Sequence, residues 1–155
     1  MNIDAILRLL DWKQSEENQI KGLRMAKEVQ CIKAFFRPIT QWASKGLWDN
    51  CALVIAERSD TELKPYAQEM LLWLEDMNWP GAEIIQQRLL RMEDDDTIKD
   101  IAAHIDDRVS AFVALQKTDW LWPIAQLLTN RKIRSALKEK TLRCLEEIQL
   151  LYCTD

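Results

Sequence analysis

Apolar positions in this chain recur with a helical period, and the pattern is clearest around one corner. Met70, Leu71, Leu74 and Met77 stand at i, i+1, i+4 and i+7, the stripe that a helix buries. Pro80 ends it, because proline donates no backbone hydrogen bond and disfavours helical geometry at the residue before it, here Trp79. Its fixed φ suits the first turn of a new helix. Asn78-Trp79-Pro80 therefore predicts a tight corner between two antiparallel helices, the second running to Met92 on Ala82, Ile85, Leu89 and Met92. Leu72, Trp73, Ile84 and Leu90 lie off these stripes, as expected of helices sandwiched between neighbours.

The same reading extends along the chain. Ile3, Ile6, Leu7 and Leu10 predict a short helix closing at Asp11-Trp12. Ser15 with Glu16 and Glu17 reads as an N-cap. A long helix follows on Met25, Val29, Ile32 and Phe36, ended or kinked at Arg37-Pro38, with further turns at 39–44 and a C-terminal cap at Lys45-Gly46. Trp48 opens a helix with Ala52, Leu53, Ile55 and Ala56 inward. Ser59 and Glu62 match a capping box, and Pro65 separates a first turn at 60–63 from a main helix over 65–77. After Glu93-Asp94-Asp95-Asp96, a helix from Thr97 to Gln116 carries the most regular stripe: Ile98, Ile101, Ala102, Ile105, Val109, Phe112 and Val113. Pro123 falls in the first turn of a short helix. The last helix spans Ile133 to Tyr152, with Leu137, Thr141, Cys144, Leu145, Ile148, Leu151 and Tyr152 inward.

Side by side, the corners are Leu10-Asp11-Trp12, Gly46-Leu47-Trp48, Met77-Asn78-Trp79 and Thr118-Asp119-Trp120. Their tryptophans are separated by 36, 31 and 41 residues. Such periods in a helical chain signal stacked helix pairs, each burying its apolar face against its neighbours. The predicted fold is all-α, a HEAT-like stack of three to four antiparallel helix pairs. It forms one domain over 1–155, with cap helices in 1–45 and repeats in 46–153. Trp12, Trp48, Trp79, Pro80 and Trp120 are its structural corners, and the Trp12 unit fits the repeat least well.

Ser59-Asp60-x-Glu62-Leu63-x-Pro65, followed by Leu71-Leu72-Trp73-Leu74-x-Asp76-x-Asn78-Trp79-Pro80-Gly81-Ala82, resembles the signature stretch of a bacterial family, domain of unknown function 5071. The resemblance is specific over 47–92 and general from there to about 150, and it leaves 1–40 outside. It implies a right-handed, HEAT-like α-α superhelix, with no catalytic residues to carry over.

Composition narrows the class further. Three glycines and four prolines among 155 residues leave little material for the turns of an all-β fold. Twenty-one basic against 25 acidic residues give a net charge of −4, which offers no global attraction to nucleic acid or anionic membrane. The amino-terminal apolar run is too short and too charged for a signal or a span, so a cytoplasmic protein is expected. Cys31, Cys51, Cys144 and Cys153 are far apart and read as small hydrophobes on helix faces. With no Cys-x-x-Cys pair, His104 as the lone histidine and no Gly-rich phosphate loop, neither metal nor cofactor is expected, and no catalytic constellation is visible.

Two groups of residues stand out as partner-binding candidates. Trp42, Trp73 and Trp122 break the repeat and are candidates if exposed. Asp94, Asp95, Asp96, Asp100, Asp106 and Asp107, with Glu93, put seven carboxylates into fifteen residues. They read as a solvated cap or as a docking patch for a basic partner; their spacing matches no calcium loop. Arg131, Lys132, Arg134, Lys138, Lys140 and Arg143 form an opposing basic segment. The functional expectation is a non-catalytic module that binds another protein through the concave side or an edge. Its sharper form is an immunity or antitoxin-type protein that covers a basic bacterial toxin. The competing class is a nucleic-acid binder or base-excision-type enzyme, which the acidic balance argues against.

Overall fold

Helices begin where a side chain satisfies the amides that a first turn leaves open. In the computed structural model, which describes residues 1–39 and 45–153, α1 (Ile3–Leu9) starts on the Asn2 side-chain oxygen Oδ1 and α2 (Glu16–Ala26) on the Ser15 hydroxyl. α3 spans Trp48–Ala56. α4 (Asp60–Leu63) starts in the capping box of Ser59 and Glu62. A 3₁₀ turn through Pro65 leads into α5 (Ala67–Trp73), and α6 spans Ala82–Leu90. α7 (Asp95–Ala114) begins on Asp94, α8 covers Trp122–Ala125, α9 (Arg131–Ala136) begins on Asn130, and α10 spans Glu139–Tyr152. Among the described residues there are no strands.

Three expected helices are shorter, each for a local reason. α2 stops at Ala26, and 3₁₀ turns at Ile32–Phe35 and Arg37–Ile39 replace its continuation. The Arg58 guanidinium donates to the carbonyls of Ala26 and Val29 at 2.7 and 2.9 Å, taking the place of helical amides. Val29, Ile32, Phe35 and Phe36 are still buried, so the stripe survives without the helix. α5 stops at Trp73 rather than Met77, because Asp76 accepts from the Asn78 amide and folds the chain into the corner. The last helix is split at Leu137, whose ψ of 149° is extended, and the buried Asp106 of α7 accepts from the Lys138 amide to start α10.

Alternate elements stack on one another. α3 packs on α6, and α6 on the turn at Gln126–Thr129; α5 packs on α7, and α7 on α9 and α10. α1 and α2 pack together, with α2 against α3. One buried cluster runs through these layers from Ile6 to Ile148. Leu53, Leu151 and Tyr152, expected inside, are exposed instead, as is Val113. Cys51, Val54, Ala52 and Ile55 fill the inner face of α3, and the last turns of α7 and α10 carry their stripes beyond the elements that cover them.

Side chains of opposite layers and successive units are tied at the helix ends. Arg58 reaches back to residues 26 and 29, Arg88 to the Arg58 carbonyl at 2.8 Å, and Asn130 to the carbonyls of Leu89, Leu90 and Met92. Each is a polar residue at or just after the end of its element, bonding to backbone groups earlier in the chain. Buried carbonyls left over by helix termination are satisfied in this way.

Candidate interaction surface

The tryptophans do not behave alike. Trp48, Trp73 and Trp79 form one cluster, Trp48 meeting Trp73 edge-on at 6.1 Å and Trp79 at 5.6 Å. Trp73 is fully buried, and its indole N–H donates to the Pro80 carbonyl at 2.9 Å. It therefore offers no surface to a partner, so it does not meet the condition of exposure on which it was a binding candidate, and its burial fits an off-stripe residue of a sandwiched helix. It faces the corner that follows it in the chain, an arrangement the stripe alone does not reveal. Pro80 lies in the corner itself, and Gly81 caps α6 with φ at 83°. Trp12 and Trp120 occupy the first and last corners and are exposed, at 68% and 49%. An outer corner has a neighbouring unit on one side only, so these two are not pins equivalent to Trp48. Trp122 is half-buried and rests on Tyr152 with ring centroids 4.9 Å apart. Trp42 lies outside the described residues.

The acidic segment divides by role. Asp94 caps α7, accepting from the Thr97 amide and hydroxyl at 2.9 and 2.7 Å, and those hydrogen bonds hold its carboxyl below the ordinary range. Asp95 pairs with Lys132 at 3.0 Å, and Asp106 is buried beneath the start of α10. Asp94 thus fills the capping role that the segment suggested, and Asp106 is withdrawn from the surface by burial. Asp96, Asp100 and Asp107 remain, exposed or half-exposed along α7, and among the described residues none of them forms an ion pair. With Ala103 and Ala111 they make a continuous stripe on the outer side of the longest helix.

Beside that stripe, α5 and α7 enclose an open cleft of about 410 Å³ lined by Gln68, Leu71, Glu75, His104, Asp107, Arg108, Ala111 and Phe112. Arg108 donates to Glu75 at 2.6 Å and lies 5.6 Å from the Phe112 ring centroid. Phe112 meets Trp120 edge-on at 5.8 Å, and Lys117 sits 4.7 Å from the Trp120 ring centroid. The cleft has an apolar floor, a fixed ion pair and carboxylates at its margin, which is chemistry for holding a basic, partly apolar surface. No local pattern groups Glu75, Arg108 and Phe112, since they meet only where α7 packs against α5 and the turn after it.

Half of the basic segment is paired where it stands. Lys132 pairs with Asp95, Arg134 with Glu146 and Arg143 with Glu139. Among the described residues no group of three or more His, Cys, Asp or Glu side chains is placed to hold a metal ion. No helix among them is long and apolar enough to cross a membrane. Cys51 is buried and its thiol is pushed up to about 12 by that burial, against the opposing charge of Arg37. Cys31 and Cys153 are exposed, so only part of the cysteine set behaves as core.

No curated protein and no solved structure matches this chain. A family model does: the one described as Domain of unknown function (DUF5071) matches residues 42–151, which take in the clustered tryptophans, the acidic segment and the α5–α7 cleft, and the chain belongs to that family.

Proposed function

We propose that this chain is a small HEAT-like helical-repeat protein, non-catalytic, whose α5–α7 face binds another protein. The observation that carries the reading is the outer stripe of α7. Asp96, Asp100, Ala103, Asp107 and Ala111 run along the longest helix beside an open cleft, while the neighbouring acids Asp94, Asp95 and Asp106 are engaged within the fold. The alternate stacking of elements in two layers supports the superhelical form, since repeat stacks present one layer as an extended binding face. Photo-crosslinking groups placed at Ala103 and Ala111, with a control at Gln87 on α6, test the reading in the native host. The expected result is a discrete adduct with one protein from the α7 positions and none from the control. Equal labelling from all three positions, or none, would sink it.

The three outward aspartates favour one sharper form, an immunity-type protein that covers a basic toxin. Replacing Asp96, Asp100 and Asp107 with asparagine is expected to abolish neutralisation of such a toxin while the chain stays folded. Unaltered protection counts against this surface. The net charge of −4 disfavours the nucleic-acid reading, because the chain as a whole repels a phosphate backbone.

A further inference from the structure

The outward face of α10 carries a pattern that answers itself. Lys140, Arg143, Cys144, Glu147, Leu150 and Leu151 recur at spacings of three, one, three, three and one, which places them on one stripe of the helix, the spacing of a helix–helix seam. Leu150 and Leu151 are 68% and 74% exposed. The other end of the same stripe borders an open groove of about 680 Å³ between α7 and α10, floored by Val109, Val113, Ala114 and Cys144 and edged by Lys140, Arg143 and Glu147. One helix thus presents both an apolar knob and an apolar groove, separated along its length. Arg143 and Glu147, one turn apart, supply opposite charges between them.

We infer that two copies of this chain associate about a two-fold axis with their α10 helices crossing antiparallel at the level of Leu145. At that level the geometry satisfies both sets of groups together. Residues 143 and 147 exchange places across the axis, so Arg143 meets Glu147 of the partner subunit, and the reverse pair forms by symmetry. Residue 140 exchanges with 150 and 139 with 151, so the leucines of one copy enter the groove of the other, which Glu139 and Lys140 border. Such an interface is isologous, the commonest form of self-association. Arg143 now bonds to Glu139 within its own helix, but that pair is 73% and 78% exposed and is easily exchanged. A second copy is the occupant favoured here because one stripe supplies the knob, the groove and both charges. The face shares none of Asp96, Asp100, Ala103 and Asp107 with the partner surface proposed above, so either reading stands if the other fails.

Sedimentation equilibrium of the full chain over a range of concentrations tests it. The mass rises from one chain to two with concentration. Arg143→Glu and Glu147→Arg each weaken the dimer at least about tenfold, because like charges then face each other across the axis. An equimolar mixture of the two variants regains association, since every crossing again joins opposite charges. Leu150→Ser combined with Leu151→Ser abolishes the dimer while circular dichroism remains helical. A chain that stays monomeric throughout overturns the inference. So does a dimer indifferent to the charge and leucine variants, or a mixture that fails to associate.

Discussion

Among the described residues two hold left-handed backbone, and they make opposite demands. Gly81 has φ of 83°, and a Cβ there would lie 2.7 Å from Ala52 Cβ and 2.9 Å from the Trp48 carbonyl oxygen. Both strain and collision oppose any side chain, and the obstacle includes backbone that cannot swing aside. Gly81→Ala is expected to destabilise the fold by about 3 kcal/mol or more, read as a fall in the urea midpoint. Gln116 has φ of 57° at the end of α7, where the Lys117 amide bonds to the Phe112 carbonyl and the Gln116 amide to that of Val113. This is a Schellman ending with glutamine where glycine is usual. Relief of the strain exceeds the extra chain entropy of glycine, so Gln116→Gly is expected to stabilise by about 0.5–1 kcal/mol, seen as a higher melting temperature.

At the scale of elements, the side chains that join one unit to the next matter more than the helices' own propensities. Asp60 shows this best: Arg88 donates to its Oδ1, and the amides of Glu93 and Asp94 donate to its Oδ2 at 2.7 and 2.8 Å. Burial opposes ionisation of Asp60, but the two amides and the Arg88 guanidinium together outweigh it and hold the carboxyl below the ordinary range. A carboxyl depressed in the folded state adds stability above its unfolded value, about 3.9, and loses it as the pH falls through the folded value. Stability is therefore expected to decline below about pH 4 in denaturant titrations. Asp60→Asn is expected to cost about 3 kcal/mol at neutral pH, because the buried Arg88 loses its counter-ion, and to flatten that acid slope. The Ser59 amide and hydroxyl depress Glu62 in the same sense, and Asp94 behaves likewise through Thr97, so part of the slope remains in the variant.

At the scale of the molecule, charge is sorted between holding the stack together and facing outward. Asp106 is buried and starts α10, so Asp106→Ala is expected to lower stability by about 1–2 kcal/mol. The triple change of Asp96, Asp100 and Asp107 to asparagine is expected to move it by no more than about 0.5 kcal/mol, since these groups serve the surface. Chemical denaturation of the two variants beside the wild type checks the contrast. A large loss in the triple variant would show that the α7 stripe belongs to the fold.

Helical class, the corner at residues 78–81, the cap at Ser59 and the regular stripe of α7 were legible in the chain because each depends on local chemistry: period, proline, a capping hydroxyl. Family membership was legible in the stretch from Ser59 to Ala82 for the same reason, since capping, corner and stripe residues lie close together there. Tertiary structure alone decided where α2 stops, because the Arg58 side chain arrives from 29 to 32 residues away to satisfy its last carbonyls. It also separated Trp48, buried within the stack, from Trp120, left open at the last corner, although both stand at the same position of the repeat. The same holds for the acids: Asp106 and Asp107 are adjacent in the chain, yet one lies beneath α10 and the other lines a cleft. Local pattern determines which residues can form a helix and which face is apolar. Which polar groups the stack consumes depends on what packs above them, and that is settled only when the units meet.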